Sequence, residues 1–236
     1  MYRSKGLTPD WVIKVGGSLG ARPARLRRLM ETLAGAARRH SLVVVPGGGS
    51  FADEVRRADR RFALADSAAH WMAILAMDQY GHLLAGLAAG AALARRRREL
   101  VPGRLNVLAP SAWLRRADPL PHSWDVTSDS IAAWFARVLG ARHLMLVKHE
   151  DGFIGPDRGP CSMPPHVRQS ALEAFVDVVD PYFARALDPA IGCWIVRGHL
   201  PQRVARLIET CGRSATPRER AGRRGYAGMA VAERQA

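Results

Sequence analysis

Lysine is nearly missing from this chain. Of its 35 basic residues, only Lys5, Lys14 and Lys148 are lysines. Arginine holds the generic solvated positions, so a remaining lysine marks a place where a compact ammonium fits and a planar guanidinium does not. Cysteine is scarce as well. Cys161, Cys193 and Cys211 show no C-x-x-C spacing, which argues against a disulfide framework or a cysteine zinc site and suits reduced cytoplasmic thiols. No run of about 18 apolar residues occurs, so no membrane span is expected. The opening segment MYRSKGLTPDW lacks the apolar core of a secretory signal. The P-loop pattern GxxxxGK[ST] is absent. Gly47-x-Gly49-x-x-Ala52 matches the loose dinucleotide pattern, but Asp66, the acidic residue at a suitable distance, falls in a helical stretch and not at a strand end. Acidic residues number 21, leaving a net charge of +14. No basic and aromatic residues interleave as in RNA readers. The arginines are therefore read as solvated faces, and nucleic acid is not an expected partner.

What is present reads as a globular α/β protein. Apolar residues make up 48% and charged residues 24%, an ordinary balance for a packed domain. Residues 1–211 are expected to form one domain, and residues 212–236, with six Arg and two Glu, a basic disordered tail. Continuous apolar runs at 11–15, 42–45, 105–108, 143–148 and 193–197 read as buried strands. Apolar positions at helical spacing predict helices over 22–40, 51–63, 66–87, 128–139, 180–188 and 201–211. On the helix at 66–87, Trp71, Ile74, Leu75, Met77 and Leu84 are expected to face inward, and the basic run at 95–98 reads as a solvated helix end. Strands that alternate with helices and lack a polar face indicate a three-layer αβα sandwich with a mostly parallel sheet.

Three glycine turns follow three of these strands: Gly16-Gly17-Ser18, Gly47-Gly48-Gly49-Ser50, and Asp151-Gly152. Glycine lets backbone N–H groups approach phosphate oxygens, and a following helix N-terminus favours the same anion. Lys14 precedes the first turn by two residues and Lys148 ends a strand. In parallel sheets, ligands bind at the carboxyl ends of the strands, where all these residues fall.

Lys14-Val-Gly-Gly-Ser18, Pro46-Gly-Gly-Gly-Ser50-Phe51, Thr127-Ser-Asp-Ser130 and Asp151-Gly152 resemble, in order and spacing, the amino acid kinase superfamily. Within it, His122-Ser-Trp-Asp-Val-Thr-Ser-Asp-Ser130, Ile195-Val-Arg-Gly198 and Pro201-Gln-Arg-Val204 resemble the aminomethylfuran phosphate kinases of methanofuran biosynthesis. Uridylate and isopentenyl phosphate kinases are more distant relatives. The resemblance implies a homo-oligomeric phosphotransferase that uses ATP and Mg²⁺ on a small phosphorylated substrate. Lys14 and Lys148 would stabilise the transferring phosphoryl group, with Asp129 orienting the lysines. Gly16, Gly17, Ser18, Asp151 and Gly152 would hold the nucleotide, and Gly47, Gly48, Gly49 and Thr127 the acceptor. Asp53 stands where isopentenyl phosphate kinases carry a phosphate-binding His, so a carboxylate there would suit a cationic group. Trp124 would stack on an aromatic substrate. No protein metal site is expected. Relatives carry Thr-Asp or Thr-Lys before Val-Asp-Gly; here the segment reads Lys148-His-Glu-Asp-Gly-Phe153. In strict register His149 would take the second lysine's place, but the scarcity of lysine assigns that role to Lys148. A subsidiary reading is a binding or assembly subunit with an altered nucleotide half; another is a kinase of a different small acid or phosphate.

Overall fold

An unbroken apolar run can bury both faces of a strand, and the centre of this sheet is made that way. A computed structural model describes residues 7–149, 162–163 and 178–211. In it β1 (Trp11–Val15) and β2 (Leu42–Pro46) are buried along their whole length. The chain continues through α1 (Pro23–Ala37, before β2), α2 (Gly49–Phe62), α3 (Asp66–Gly86), β3 (Ala92–Ala94), β4 (Asn106–Leu108), α4 (Ser111–Ala117), α5 (Ser128–Leu139) and β5 (His143–Lys148). It ends with β6 (Ser162–Met163), α6 (Phe183–Ala186), β7 (Gly192–Arg197) and α7 (Pro201–Cys211). The strand order is β3-β4-β2-β1-β5-β7-β6. β6 runs antiparallel to β7, and all other pairs are parallel. This is the mostly parallel, helix-covered sheet that the apolar runs predict.

The period of two along each strand sorts side chains between two cores. Val12, Val45, Leu144 and Leu146 pack beneath α5 with Phe135 and Leu139. Trp11, Ile13, Val15, Met145 and Val147 pack on the opposite side, against Leu29 and Met30 of α1 and Val204 and Ile208 of α7. By this alternation Lys14 falls on the α5 side. It is in register with Leu146 of β5, two residues before Lys148. β5 is a regular strand through Lys148, so the two lysines share a face.

Several expectations need correction. Residues 95–98 do not end a helix: they follow the short strand β3, which the sequence reading missed. Arg97 there donates to the carbonyls of Val138 (3.1 Å) and Leu139 (3.3 Å), satisfying acceptors at the end of α5 that have no intrahelical partner. The helix expected over 180–188 is one turn, Phe183–Ala186. Ser162 and Met163 form an edge strand that no apolar run announces. Leu75 points outward and is 45% exposed, as are Met72 and Leu83 in part, giving α3 a partly apolar solvent side. The tail at 212–236 lies outside the described residues. No helix among the described residues is long and apolar enough to cross a membrane.

At the amino end of the sheet, His143 sits between Trp11 (ring centroids 4.5 Å apart) and Trp194 (5.0 Å). Burial first, with a smaller push from Arg142, lowers its pKa from 6.5 to about 4. The native state thus disfavours the imidazolium. Stability should be unaffected by this group above pH 6.5 and should fall as pH drops from 6.5 towards 4, by roughly 2 kcal/mol or more at pH 4.5. Urea titrations of His143→Phe and the unmodified chain at pH 7.5 and 4.5 test this. The variant should lose clearly less stability on acidification, and equal losses would exonerate His143.

Candidate functional site

The turn after β1 and the turn after β2 are pressed together, backbone on backbone. A Cβ at Gly17 would lie 2.2 Å from the Gly49 nitrogen, so no other residue fits without parting the turns. Gly49 has φ +58 and faces the Tyr80 ring, again a position for glycine. Burial pushes the Tyr80 phenol up to about 12, and its hydroxyl donates to the Gly16 carbonyl at 3.4 Å. Gly16 and Gly47 are not open to a ligand through their amides: the Gly16 N–H donates to Val147 O (2.8 Å) and the Gly47 N–H to Val15 O (2.9 Å). Their part is to shape the turns. Gly17, Ser18, Gly48 and Gly49 line a cavity of about 620 Å³ above the carboxyl ends of β1 and β2.

Lys14 and Lys148 enter the same cavity from the sheet, and Asp129 enters it from the first turn of α5. Asp129 is 3% exposed. Its Oδ1 is 2.9 Å from Lys14 Nζ and its Oδ2 is 2.6 Å from Lys148 Nζ. Lys148 also donates to the Val178 carbonyl. Burial by itself would raise the Asp129 pKa, but the two ammonium groups outweigh it and hold the carboxyl below its usual range. For Lys148, burial dominates and lowers the pKa despite the attraction of Asp129. The result is one buried anion between two cations, with a net positive charge facing the cavity. His149, directly after β5, borders a separate small crevice on the α1 side with Leu19 and Arg22.

The amino end of α5 is fixed by Asp180, a residue the sequence reading passed over. Asp180 is buried and accepts hydrogen bonds from Thr127 N (3.0 Å), Thr127 Oγ1 (2.8 Å), Ser130 N (3.0 Å) and the Ser130 hydroxyl. It satisfies first-turn amides that would otherwise be orphaned and places a negative charge at the positive end of the helix. Asp129 lies between the two capped residues, so Asp180 sets its position. No local pattern advertises a cap that acts across 50 residues.

The remaining expected residues divide. Thr127 and Trp124 line the cavity. Trp124 Nε1 donates to Asp59 Oδ2 (2.7 Å), and the Arg56 guanidinium lies 4.8 Å from its ring centroid. Asp53 stands at the cavity's rim, 3.3 Å from Arg56, with an exposed side chain. Asp151 and Gly152 lie outside the described residues. Among the described residues no three His, Cys, Asp or Glu side chains converge as a metal site.

Comparison with known proteins follows the same lines. The profile of the amino acid kinase family matches residues 11–173. The chain belongs to that family. It is 29% identical over 206 residues to the [5-(aminomethyl)furan-3-yl]methyl phosphate kinase of Methanocaldococcus jannaschii, covering 84% of this chain and 92% of that protein. Among solved amino acid kinase folds it resembles uridylate kinase from Archaeoglobus fulgidus, with a TM-score of 0.62 at 19% identity over 88% of this chain and 97% of the other. It also resembles UMP kinase from Bacillus anthracis, with a TM-score of 0.59 at 14% identity over 85% and 92%.

The Asp180 cap generates a prediction for this kinase. Removing a buried charged acceptor leaves several donors unsatisfied and should cost roughly 2–3 kcal/mol. Asp180→Ala should therefore unfold at lower urea, and Asp180→Asn should recover part of the loss. A change below about 0.5 kcal/mol, ordinary for a surface substitution, would show that α5 is held by other means.

Proposed function

We propose that this kinase moves the γ-phosphoryl group of ATP onto the phosphate of a small phosphate monoester, giving a diphosphate and ADP. The observation that carries the reading is the Lys14–Asp129–Lys148 arrangement at the carboxyl ends of adjacent strands, open to the cavity that the two glycine turns border. Phosphoryl transfer asks little covalent chemistry of a protein. It needs in-line positioning and positive charge where charge spreads over the transferring group. A P–O bond forms from an acceptor phosphate oxygen to the γ-phosphorus as the bond to the β-bridging oxygen breaks. Lys14 and Lys148 balance the charge on the transferring oxygens, and Asp129 aims both ammonium groups without acting as a base. The amides of Gly17, Ser18, Gly48 and Gly49, which line the cavity, and the amino end of α2 suit phosphate oxygens. With both Asp129 oxygens engaged by lysine, Mg²⁺ would be held chiefly by the phosphates and would supply further charge neutralisation. The relative from Methanocaldococcus jannaschii bears the name of an aminomethylfuran phosphate kinase, which supports an acceptor of that kind. The intact lysine–aspartate–lysine arrangement favours transfer over a binding-only subunit.

The test is phosphorus NMR of the purified chain with Mg-ATP and the aminomethylfuranyl methyl phosphate, read for a new diphosphate. Lys14→Arg and Lys148→Met should each lose about a hundredfold in kcat, the usual loss for one charge-stabilising donor. His149→Ala should stay near normal. A large loss in His149→Ala with none in Lys148→Met would move the second cation's role to His149.

The same reading includes a homo-oligomer joined through α3, whose solvent side carries Met72, Leu75 and Leu83. Burying such side chains removes apolar area from water. Light scattering should give a mass above the 25.8 kDa of one chain, and Met72→Glu with Leu75→Glu should reduce it to that value. A single-chain mass for the unmodified protein would remove this part of the reading.

A further inference from the structure

The wall of the cavity formed by α3 is not uniform. Asp66, Ala69, His70, Ala73, Met77 and Tyr80 all border it, at the spacing of one helical face. Tyr80 lies against Gly49, so its end of the stripe is the phosphate end. His70 is ten residues, or about 15 Å of helix axis, away from it. Between them Ala69 and Ala73 keep the helix surface low, and Trp124 borders the same space. At the far end the polar groups change sign. Asp66 is a carboxylate in the first turn of α3, and His70 is one turn on.

His70 is an unusual residue to find there. It is 9% exposed, yet among the described residues no hydrogen bond occupies either of its ring nitrogens. Its orientation is fixed. The ring stacks on His122 at 4.2 Å with 19° between planes, and it meets Trp71 edge-on at 5.2 Å. His122 is itself tied to Ser67 Oγ at 2.8 Å and to Asp118 Oδ1 at 2.9 Å. An imidazole held from behind, bordering a cavity and without a hydrogen-bond partner among the described residues, has a lone pair to offer a ligand. Burial first, then the neighbouring His122, keeps its pKa at about 4, so the ring is neutral and able to accept at ordinary pH. Asp53 is a poorer candidate for meeting a cation, because Arg56 already faces it across 3.3 Å.

We infer that Asp66 and His70 recognise a primary ammonium on the acceptor, at the end of the molecule opposite its phosphate, with a flat ring lying between α3 and Trp124. The inference rests on the acceptor reading above and adds the residues that select the substrate. The carboxylate supplies the charge and the neutral imidazole an acceptor. About 15 Å of helix axis separates Tyr80 from His70, which is of the order spanned by one five-membered ring with a one-carbon arm on each side and a hydrogen bond at each end. Asp66 and His70 are specificity residues here; neither approaches the transferring phosphoryl group.

Two acceptors separate the possibilities: the aminomethylfuranyl methyl phosphate and its analogue with methyl in place of aminomethyl. Loss of a hydrogen bond to a charged group should raise KM for the amine about tenfold or more in Asp66→Asn and in His70→Phe. In both variants kcat should be retained, and KM for the methyl analogue should stay within about twofold. His70→Phe keeps the ring stack, and the exposed Asp66→Asn gives a second variant whose folding is not at stake. If both variants raise KM equally for both compounds, or if Asp53→Asn abolishes the preference instead, the assignment is overturned while the acceptor reading stands. If the unmodified enzyme phosphorylates neither compound, the acceptor reading falls and this inference falls with it.

Discussion

Two ammonium groups share one buried carboxylate, and most of the architecture serves that arrangement. Removing charges from water is expensive, and the attraction between them repays the cost only when geometry is tightly held. Here the geometry comes from three rigid elements. β1 and β5 are adjacent and parallel, so Lys14 and Lys148 project from one face within reach of the same group. α5 supplies that group from its first turn, and Asp180 locks the turn. The surplus positive charge left after Asp129 is satisfied faces the cavity, where an anionic ligand would complete the balance.

The cavity itself is divided by chemistry. Its sheet side offers lysines and amides of the glycine turns. Its α3 side offers small apolar side chains and, further along, Asp66 and His70. A ligand that is phosphate at one end and cationic at the other matches this gradient in both charge and polarity. The pressed glycine turns hold the two phosphate-facing edges at fixed separation, so positioning does not depend on ordering flexible side chains.

Much of this was legible in the sequence because it is locally written. Buried parallel strands announce themselves as unbroken apolar runs, and the glycine turns stand directly after them. Lys14 and Lys148 stood out because so few lysines are present, and Asp129 because its segment resembles a known family. What stayed hidden depends on distant neighbours. The strand at Ala92–Ala94 is three small and medium residues beside an arginine run, with too little β-propensity to be seen. Asp180 gains its role only when the chain brings it to a helix 50 residues earlier. The engagement of the Gly16 and Gly47 amides is a matter of backbone pairing, which residue type does not reveal. The direction in which His70 faces follows from its stack on His122, a contact no periodicity encodes.

The strand order has a consequence for how the protein is made. The amino-terminal strands fill one half of the sheet, in the order β3-β4-β2-β1, and the remaining strands fill the other. β1 is therefore central in the finished protein but lies at the margin of the half assembled first. At about 5–20 residues per second of synthesis, Lys14 waits on the order of ten seconds for Asp129 and Lys148 to emerge. If the first four strands paired in that interval, β1 would be the open edge of the half-sheet, facing strands of other nascent chains. A charged side chain directed inward from an edge strand is a recognised deterrent to such pairing. An inward charge such as that of Lys14 would disfavour pairing at that edge until β5 covers it.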